Sequence, residues 1–335
     1  MFQQFLIHSW YSQAKWLIIL KPFSWIYQLI LMLRTQLYKR GIFRVHHLPV
    51  PVIIVGNLTV GGTGKTPLVI SLVDFFKEQG FTPGVISRGY RGKVKSIPQL
   101  VREDSNAEEV GDEAKLIFMR THCPVMVSKN RVLAAKALLK NTSCDIIISD
   151  DGLQHTALGR DVEIIVIDGE RRFGNEKCLP EGPLRESLER LKNVDMVVCN
   201  GEQSNENEFP MQIEVESVYN LKDPYKEVEL LSLTQPVFAV SGIGNPERFF
   251  KTLSEYQLDI EAIIFPDHHH FVPNDLVFEN NNPIIMTEKD AVKCKSFAQA
   301  HHWVLKVNAI LEDKFYSTLL WKALAQHSSI RTETI

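Results

Sequence analysis

The sequence predicts an α/β protein with a mainly parallel sheet flanked by helices. Three observations carry this. First, short β-branched runs near residues 52–55, 83–87, 125–127, 145–149, 163–167 and 195–199 alternate with helical patterns. That order builds a parallel sheet covered on both faces. Second, a glycine-rich segment ending in Gly64-Lys65-Thr66 lies between the first run and a helical pattern. Third, the run Asp145–Ser149 ends in two carboxylates, Asp150 and Asp151. In such sheets ligands bind at the carboxyl ends of the strands, where both of these features fall.

The first element is an arm. Residues 1–50 contain Lys15, Lys21, Arg34, Lys39, Arg40 and Arg44 and no acidic residue; the first acidic residue is Asp74. The chain carries 37 basic and 40 acidic residues, so the remainder has 31 against 40, or −9. Three of the five tryptophans, Trp10, Trp16 and Trp25, sit in the same arm. A basic, aromatic arm on an acidic body calls for an anionic partner. Pro22 suits the first turn of a helix. From there Phe23, Ile26, Tyr27, Ile30, Leu33 and Leu37 make a broad apolar face, and Ser24, Gln28, Thr35 and Lys39 a polar stripe. The pattern reads as an amphipathic helix at a membrane interface over residues 1–44, with a core-packing helix as the alternative. A single membrane span remains open, and a cleaved leader is disfavoured because no small-residue cleavage pattern follows.

The nucleotide lobe, residues 45–210, begins with the strand Val52–Val55. The loop Gly56-Asn57-Leu58-Thr59-Val60-Gly61-Gly62-Thr63-Gly64-Lys65-Thr66 follows, and then the helical pattern Leu68, Leu72, Phe75, Phe76. This is a P-loop NTPase-type arrangement. Gly61, Gly62, Thr63 and Gly64 let backbone N–H groups turn around phosphate oxygens, Lys65 reaches the β/γ-phosphates, and the Thr66 hydroxyl can bind Mg²⁺. The usual pattern has glycine where Thr59 stands, and the Gly61-Gly62 pair offsets this. Asp150-Asp151 at a strand end fits a metal-positioning carboxylate, with Gly152-Leu153-Gln154-His155 beside the phosphates. No Asn-Lys-x-Asp guanine-reading motif occurs, because Thr287-Glu288-Lys289-Asp290 has the letters in another order; this favours ATP over GTP. Residues 211–233 read as a two-stranded β-hairpin linker. A smaller C-terminal α/β lobe, residues 234–335, has strands near 236–240, 261–265, 283–287 and 303–307 and a last helix around 312–326. The five cysteines form no CxxC pair or zinc spacing, so neither a disulfide framework nor structural zinc is expected.

Seven strings in order resemble the tetraacyldisaccharide 4′-kinases, the lipid A 4′-kinase family. They are the P-loop string Val55–Thr66, Ser87-Arg88-Gly89-Tyr90, Gly111-Asp112-Glu113, Asp150–His155, Gly182-Pro183-Leu184-Arg185-Glu186, Asp267-His268 and Thr287–Lys293. Together with the basic N-terminal helix they span almost the whole chain, and Thr59 is itself the family pattern.

The resemblance implies transfer of the ATP γ-phosphate to the 4′-hydroxyl of a membrane-embedded tetraacyldisaccharide 1-phosphate, giving lipid IVA. It also implies a peripheral enzyme at the cytoplasmic face of the bacterial inner membrane, touching lipid through residues 1–40. Neither a nucleic-acid partner nor an obligate protein partner is expected. A sugar hydroxyl needs a base, and the resemblance assigns that work to Asp112 with His268. Because these lie in different lobes, cleft closure is expected to bring them together. The catalytic set is Asp112, His268, Lys65, Asp151 and Arg185. Arg185 neutralises the transferring phosphate. Thr66, Asp150, Gln154 and Glu186 form the Mg²⁺ set. Arg88 and Tyr90 can meet nucleotide or the substrate's 1-phosphate, Lys289 and Asp290 are site residues of unassigned role, and His269 and His270 are expected to be solvated. A membrane-associated ATPase switch and a soluble kinase of a small polar metabolite are the competing readings.

Overall fold

β-Branched runs become strands. In chain order these are β1 (Val52–Gly56), β2 (Pro83–Ser87), β3 (Gln99–Leu100), β4 (Val125–Val127), β5 (Ile146–Asp150), β6 (Val162–Asp168), β7 (Met196–Asn200), β8 (Phe209–Asn220), β9 (Glu227–Val228), β10 (Val237–Ser241), β11 (Ile260–Ile264), β12 (Ile284–Thr287) and β13 (His302–Leu311). The α-helices are α1 (Phe2–Tyr11), α2 (Lys21–Lys39), α3 (Lys65–Glu78), α4 (Ala107–Val110), α5 (Asp112–Thr121), α6 (Arg131–Asn141), α7 (Pro246–Glu255), α8 (Glu288–Cys294) and α9 (Asp313–Thr332). This computed structural model describes residues 2–89, 97–201, 204–233, 236–278 and 281–332.

The strands join in one sheet of order β11-β10-β12-β13-β8-β7-β6-β1-β5-β2-β4-β3, with β9 on β8. Neighbours run parallel except β3/β4, β8/β9 and β8/β13. β1 and β5 are buried along their whole length, as parallel strands covered on both faces should be. The chain leaves β1 in one direction for β2 and later crosses to β6 on the other side. A crevice therefore opens at the carboxyl end of β1, where such folds bind ligands.

The segment read as a hairpin linker is more deeply integrated than that. β8 pairs in parallel with β7 at Val198↔Phe209 and antiparallel with β13 from Leu311↔Met211 to Trp303↔Asn220, while only short β9 folds back on it. A 12-residue strand is long enough to serve both halves, so one sheet runs through both. The last helix also crosses between halves. Phe315, Leu319 and Ala323 of α9 join the core formed by Ile53, Val162 and Ile164, on the face that carries α3 and α5.

The arm lies against the body through its less apolar side. Ser24, fully buried, donates to the Cys178 carbonyl (2.9 Å), Tyr27 Oη donates to the Arg185 carbonyl (2.8 Å), and Arg34 donates to the carbonyl of Gln154. Trp10 Nε1 donates to the Pro180 carbonyl (3.0 Å). Phe23, Trp25, Ile26, Leu29, Ile30 and Leu33 are each half exposed or more. The segment Lys15–Lys39 is long and apolar enough to cross a membrane by length and composition alone.

Candidate active site

The P-loop bends between β1 and α3. Gly64 has φ +93°, and a Cβ there would lie 2.2 Å from Asn200 Nδ2, so only glycine fits. Asn200, at the end of β7, donates to the Thr63 carbonyl (3.0 Å) and pins the loop from the side. Lys65 opens α3, and its Nζ lies 3.8 Å from Asp151 Oδ1. One guanidinium nitrogen of Arg185 donates to both Asp151 oxygens (2.9 and 3.0 Å) and also reaches Gln154 Oε1 (3.5 Å). Gln154 Nε2 donates to Glu186 Oε1 (2.9 Å). The fold thus brings Lys65, Asp151, Arg185, Gln154 and Glu186 into one chain of contacts. Thr66 follows Lys65 in the first turn of α3, half-buried.

The paired carboxylates are pushed in opposite directions. Burial raises the Asp151 carboxyl, but Lys65 and then Arg185 outweigh it and hold it well below the usual carboxylate range. Asp151 has φ +47°, a left-handed conformation that costs a non-glycine residue of order 1 kcal/mol. Asp150 is 1% exposed, and burial, Glu113 and Asp151 push its carboxyl up to about 7. Its Oδ2 accepts from Ser87 Oγ (3.2 Å), while its Oδ1 is buried without a hydrogen-bond partner among the described residues. Behind both, buried Arg131 donates to the carbonyls of Asp150 (2.9 Å) and Asp151 (3.4 Å).

Asp112 begins α5, and its Oδ1 accepts from the Glu113 backbone N–H (2.9 Å). Its Oδ2 lies 2.9 Å from His268 Nδ1. A carboxylate only accepts, so Nδ1 is the donor. Burial raises the Asp112 carboxyl, but Lys289, His268 and Lys293 together bring it down to about 2. The closure expected for this pair is not needed to form it. The shared sheet already sets the loop after β11 against α5, and the ion pair from Arg120 of α5 to Glu288 of α8 (2.8 Å) fastens the two halves. His268 has φ +60°. The loop after β10, whose Gly242 carbonyl accepts from the His268 N–H (3.0 Å), meets the P-loop through Gly244, where a Cβ would lie 2.8 Å from the Gly62 nitrogen.

Lys289 Nζ reaches Glu113 (2.9 Å) and stands 3.5 Å from His268 Nε2. Asp290 is fully buried and accepts from the Gly242 N–H (2.9 Å) and Thr287 Oγ1 (2.8 Å). Arg88 is exposed beyond β2, and Tyr90 lies outside the described residues. Of the histidines expected to be solvated, His270 is exposed and 3.0 Å from Glu108. His269 is only partly exposed: it stacks on Phe265 and lies 2.9 Å from Asp275. Stacking on Phe265 and the carboxylate together draw it in. Sequence reasoning gives Asn200, Arg131, Ser87 and Arg34 no role at the site. Asn200 and Ser87 carry a readable signal, each a polar residue closing an apolar strand.

The residues present fit a magnesium nucleotide. Mg²⁺ takes hard oxygen donors, keeps several waters and shares phosphate oxygens. Thr66, Gln154, Glu186 and Asp150 each carry an oxygen of that kind, and among the described residues Asp150 Oδ1 and the P-loop's own Thr63 Oγ1 are buried with no hydrogen-bond partner.

A family model described as tetraacyldisaccharide-1-P 4′-kinase matches residues 16–325. A tetraacyldisaccharide 4′-kinase from Nitrosococcus oceani is 46% identical over 325 residues, covering 95% of this chain and 94% of its own. One from Methylobacillus flagellatus is 47% identical over 313 residues, 93% of each chain. The crystal structure of LpxK from Aquifex aeolicus in complex with ATP superposes with a TM-score of 0.77 at 30% identity, covering 93% of this chain and 99% of that one. With the P-loop, the paired carboxylates and the Asp112–His268 contact in place on that fold, the chain belongs to the tetraacyldisaccharide-1-P 4′-kinase family.

Proposed function

We infer that the protein is an ATP-dependent phosphotransferase acting on an alcohol group. It transfers the γ-phosphoryl of ATP to the 4′-hydroxyl of tetraacyldisaccharide 1-phosphate, forming lipid IVA in lipid A biosynthesis. The observation that carries this reading is the Asp112–His268 pair beside a P-loop. Glu113, next to Asp112, is close enough to Asp150 to raise its carboxyl.

Phosphoryl transfer is mostly positioning and charge neutralisation. Backbone N–H groups of Gly61, Gly62, Thr63 and Gly64 cradle the phosphates of ATP, and the dipole of α3 adds to their pull. Lys65 and Arg185 neutralise charge on the transferring phosphoryl. Asp151 stays ionised between them and keeps both cations aimed. Thr66, Asp150, Gln154 and Glu186 would hold Mg²⁺, which would neutralise further phosphate charge. Asp112 accepts the proton of the 4′-hydroxyl as the oxygen attacks, and the His268 Nδ1–H hydrogen bond holds that carboxylate in place.

The substrate is a lipid, and the arm meets it at the membrane. α2 runs along the body, tied by Ser24, Tyr27 and Arg34, with its apolar residues turned outward. This favours a helix lying in the interface of the cytoplasmic face of the inner membrane over one that spans it. The test is labelled ATP with tetraacyldisaccharide 1-phosphate in mixed micelles. Labelled lipid is the expected product; hydrolysis that proceeds without lipid and leaves the lipid unlabelled overturns the reading.

A further inference from the structure

The motif Thr287-Glu288-Lys289-Asp290 is not used in the steps above, yet its side chains grip several parts of the site. Glu288 accepts from Arg120, on the helix that Asp112 begins. Asp290 holds the Gly242 N–H, and the Gly242 carbonyl accepts from the His268 N–H (3.0 Å). Lys289 lies between these anchors. Its Nζ is 2.9 Å from Glu113 Oε1, 3.5 Å from His268 Nε2 and 3.9 Å from Asp267 Oδ1.

Hydrogen-bonding capacity then dictates a protonation state. His268 Nδ1 faces a carboxylate and carries its hydrogen there, while Nε2 faces an ammonium, which only donates, and so presents a lone pair. We propose that Lys289 is a positioning residue for the phosphoryl transfer: its ammonium keeps His268 as the neutral Nδ1–H tautomer and Asp112 as the carboxylate, the pair of states that lets Asp112 take the hydroxyl proton. The proposal rests on the reading of Asp112 as the base. Among the described residues, the charged groups facing the pair are Lys289 and Lys293 from α8, Asp267 from the loop after β11 and Glu113 from α5. Without Lys289 the protonated form of Asp112 gains, because burial draws a proton onto it and Lys289 is the first of the groups that oppose this. The error grows as pH falls.

The experiment measures kcat and KM for full-length protein with ATP and tetraacyldisaccharide 1-phosphate in mixed micelles from pH 5.5 to 9. Lys289→Met is expected to lower kcat about tenfold at pH 6, with most of the loss recovered by pH 8.5 and the KM for ATP within about twofold, because the acid limb reports the state of the base. Lys289→Arg should restore the wild-type profile. Lys289→Gln, which keeps a donor for Glu113, should shift the limb in the same direction and stands in if the methionine variant does not fold. A profile parallel to wild type in both neutral variants, at whatever overall level, overturns the proposal. Asp112→Asn separates the two ideas. If that variant keeps its activity, the base assignment itself fails; if it is inactive while the Lys289 profiles stay parallel, only the Lys289 role fails.

Discussion

Asp150 and Asp151 are sequence neighbours whose environments drive them apart, and each divergence has a measurable consequence. Asp150, pushed up to about 7 against 3.8 for a free carboxyl, binds a proton in the folded state that the unfolded chain releases between those values. Stability therefore falls as pH rises from about 4 through about 7, because the native state holds more protons. Asp150→Asn removes that penalty. In metal-free buffer the variant should gain on wild type between pH 5 and pH 8 by at least about 1 kcal/mol, while losing kinase activity. Equal melting differences at the two pH values would contradict the assignment. Asp151 has the opposite role: its charge sits between Lys65 and Arg185. Asp112→Asn and His268→Ala are each expected to lower kcat by about 10²- to 10⁴-fold, the usual worth of a positioned proton acceptor, with the KM for ATP changed only a few-fold. If either variant leaves phosphate transfer intact, the pair is not the base.

Under the proposed membrane role, α2 does two jobs with two faces. Ser24, Tyr27 and Arg34 reach the loops that carry Cys178, Arg185 and Gln154, while Trp25, Leu29 and Ile30 point away from the body. Removing residues 1–40 would therefore do more than release the membrane, because Trp10 and Leu17 are buried as well. Paired point variants separate the jobs. Tyr27→Phe loses one hydrogen bond, worth about 1 kcal/mol, to the residue that carries the Arg185 guanidinium. It should lower kcat several-fold without weakening vesicle binding. Leu29→Ser with Ile30→Ser should weaken vesicle binding and leave kcat on micellar substrate near wild type. The reverse pattern would mean that the faces are misassigned. Local signals made much of this legible. β-Branched runs located β1, β2, β5 and β6 within a residue or two, and Gly64-Lys65-Thr66 marked the start of α3 because its chemistry is local. β8 was harder, since its pairing joins residues as distant as Met211 and Leu311 and no period reports a partner. For the same reason the docking of α9 on the nucleotide-binding half was hidden. The Asp112–His268 contact came from family resemblance, and Arg131 gave no sign, because an arginine at a helix start looks like any solvated cation.

For the whole molecule, charge and fold together set orientation. The 50 N-terminal residues carry six cations and no acidic side chain, against −9 for the remainder. Under the proposed membrane role, an anionic lipid surface would attract the arm and repel the body, presenting the arm first. Lys21, Lys39 and Arg40 are exposed near the ends of α2, flanking its outward apolar residues, and Lys21 Nζ sits 5.3 Å from the Trp25 ring. Each cation near such a surface is worth about 1 kcal/mol and is screened within a Debye length. Reversing two of them, Lys39→Glu with Arg40→Glu, should weaken binding to anionic vesicles by at least about 10-fold and leave binding to neutral vesicles almost unchanged. Raising salt from 50 to 500 mM should remove most of the same increment from wild type. The kinase assay in neutral micelles should barely change, because neither residue touches the site. Equal, salt-insensitive binding to neutral and anionic vesicles would mean that the apolar face alone holds the enzyme at its substrate and that the charge asymmetry serves something else.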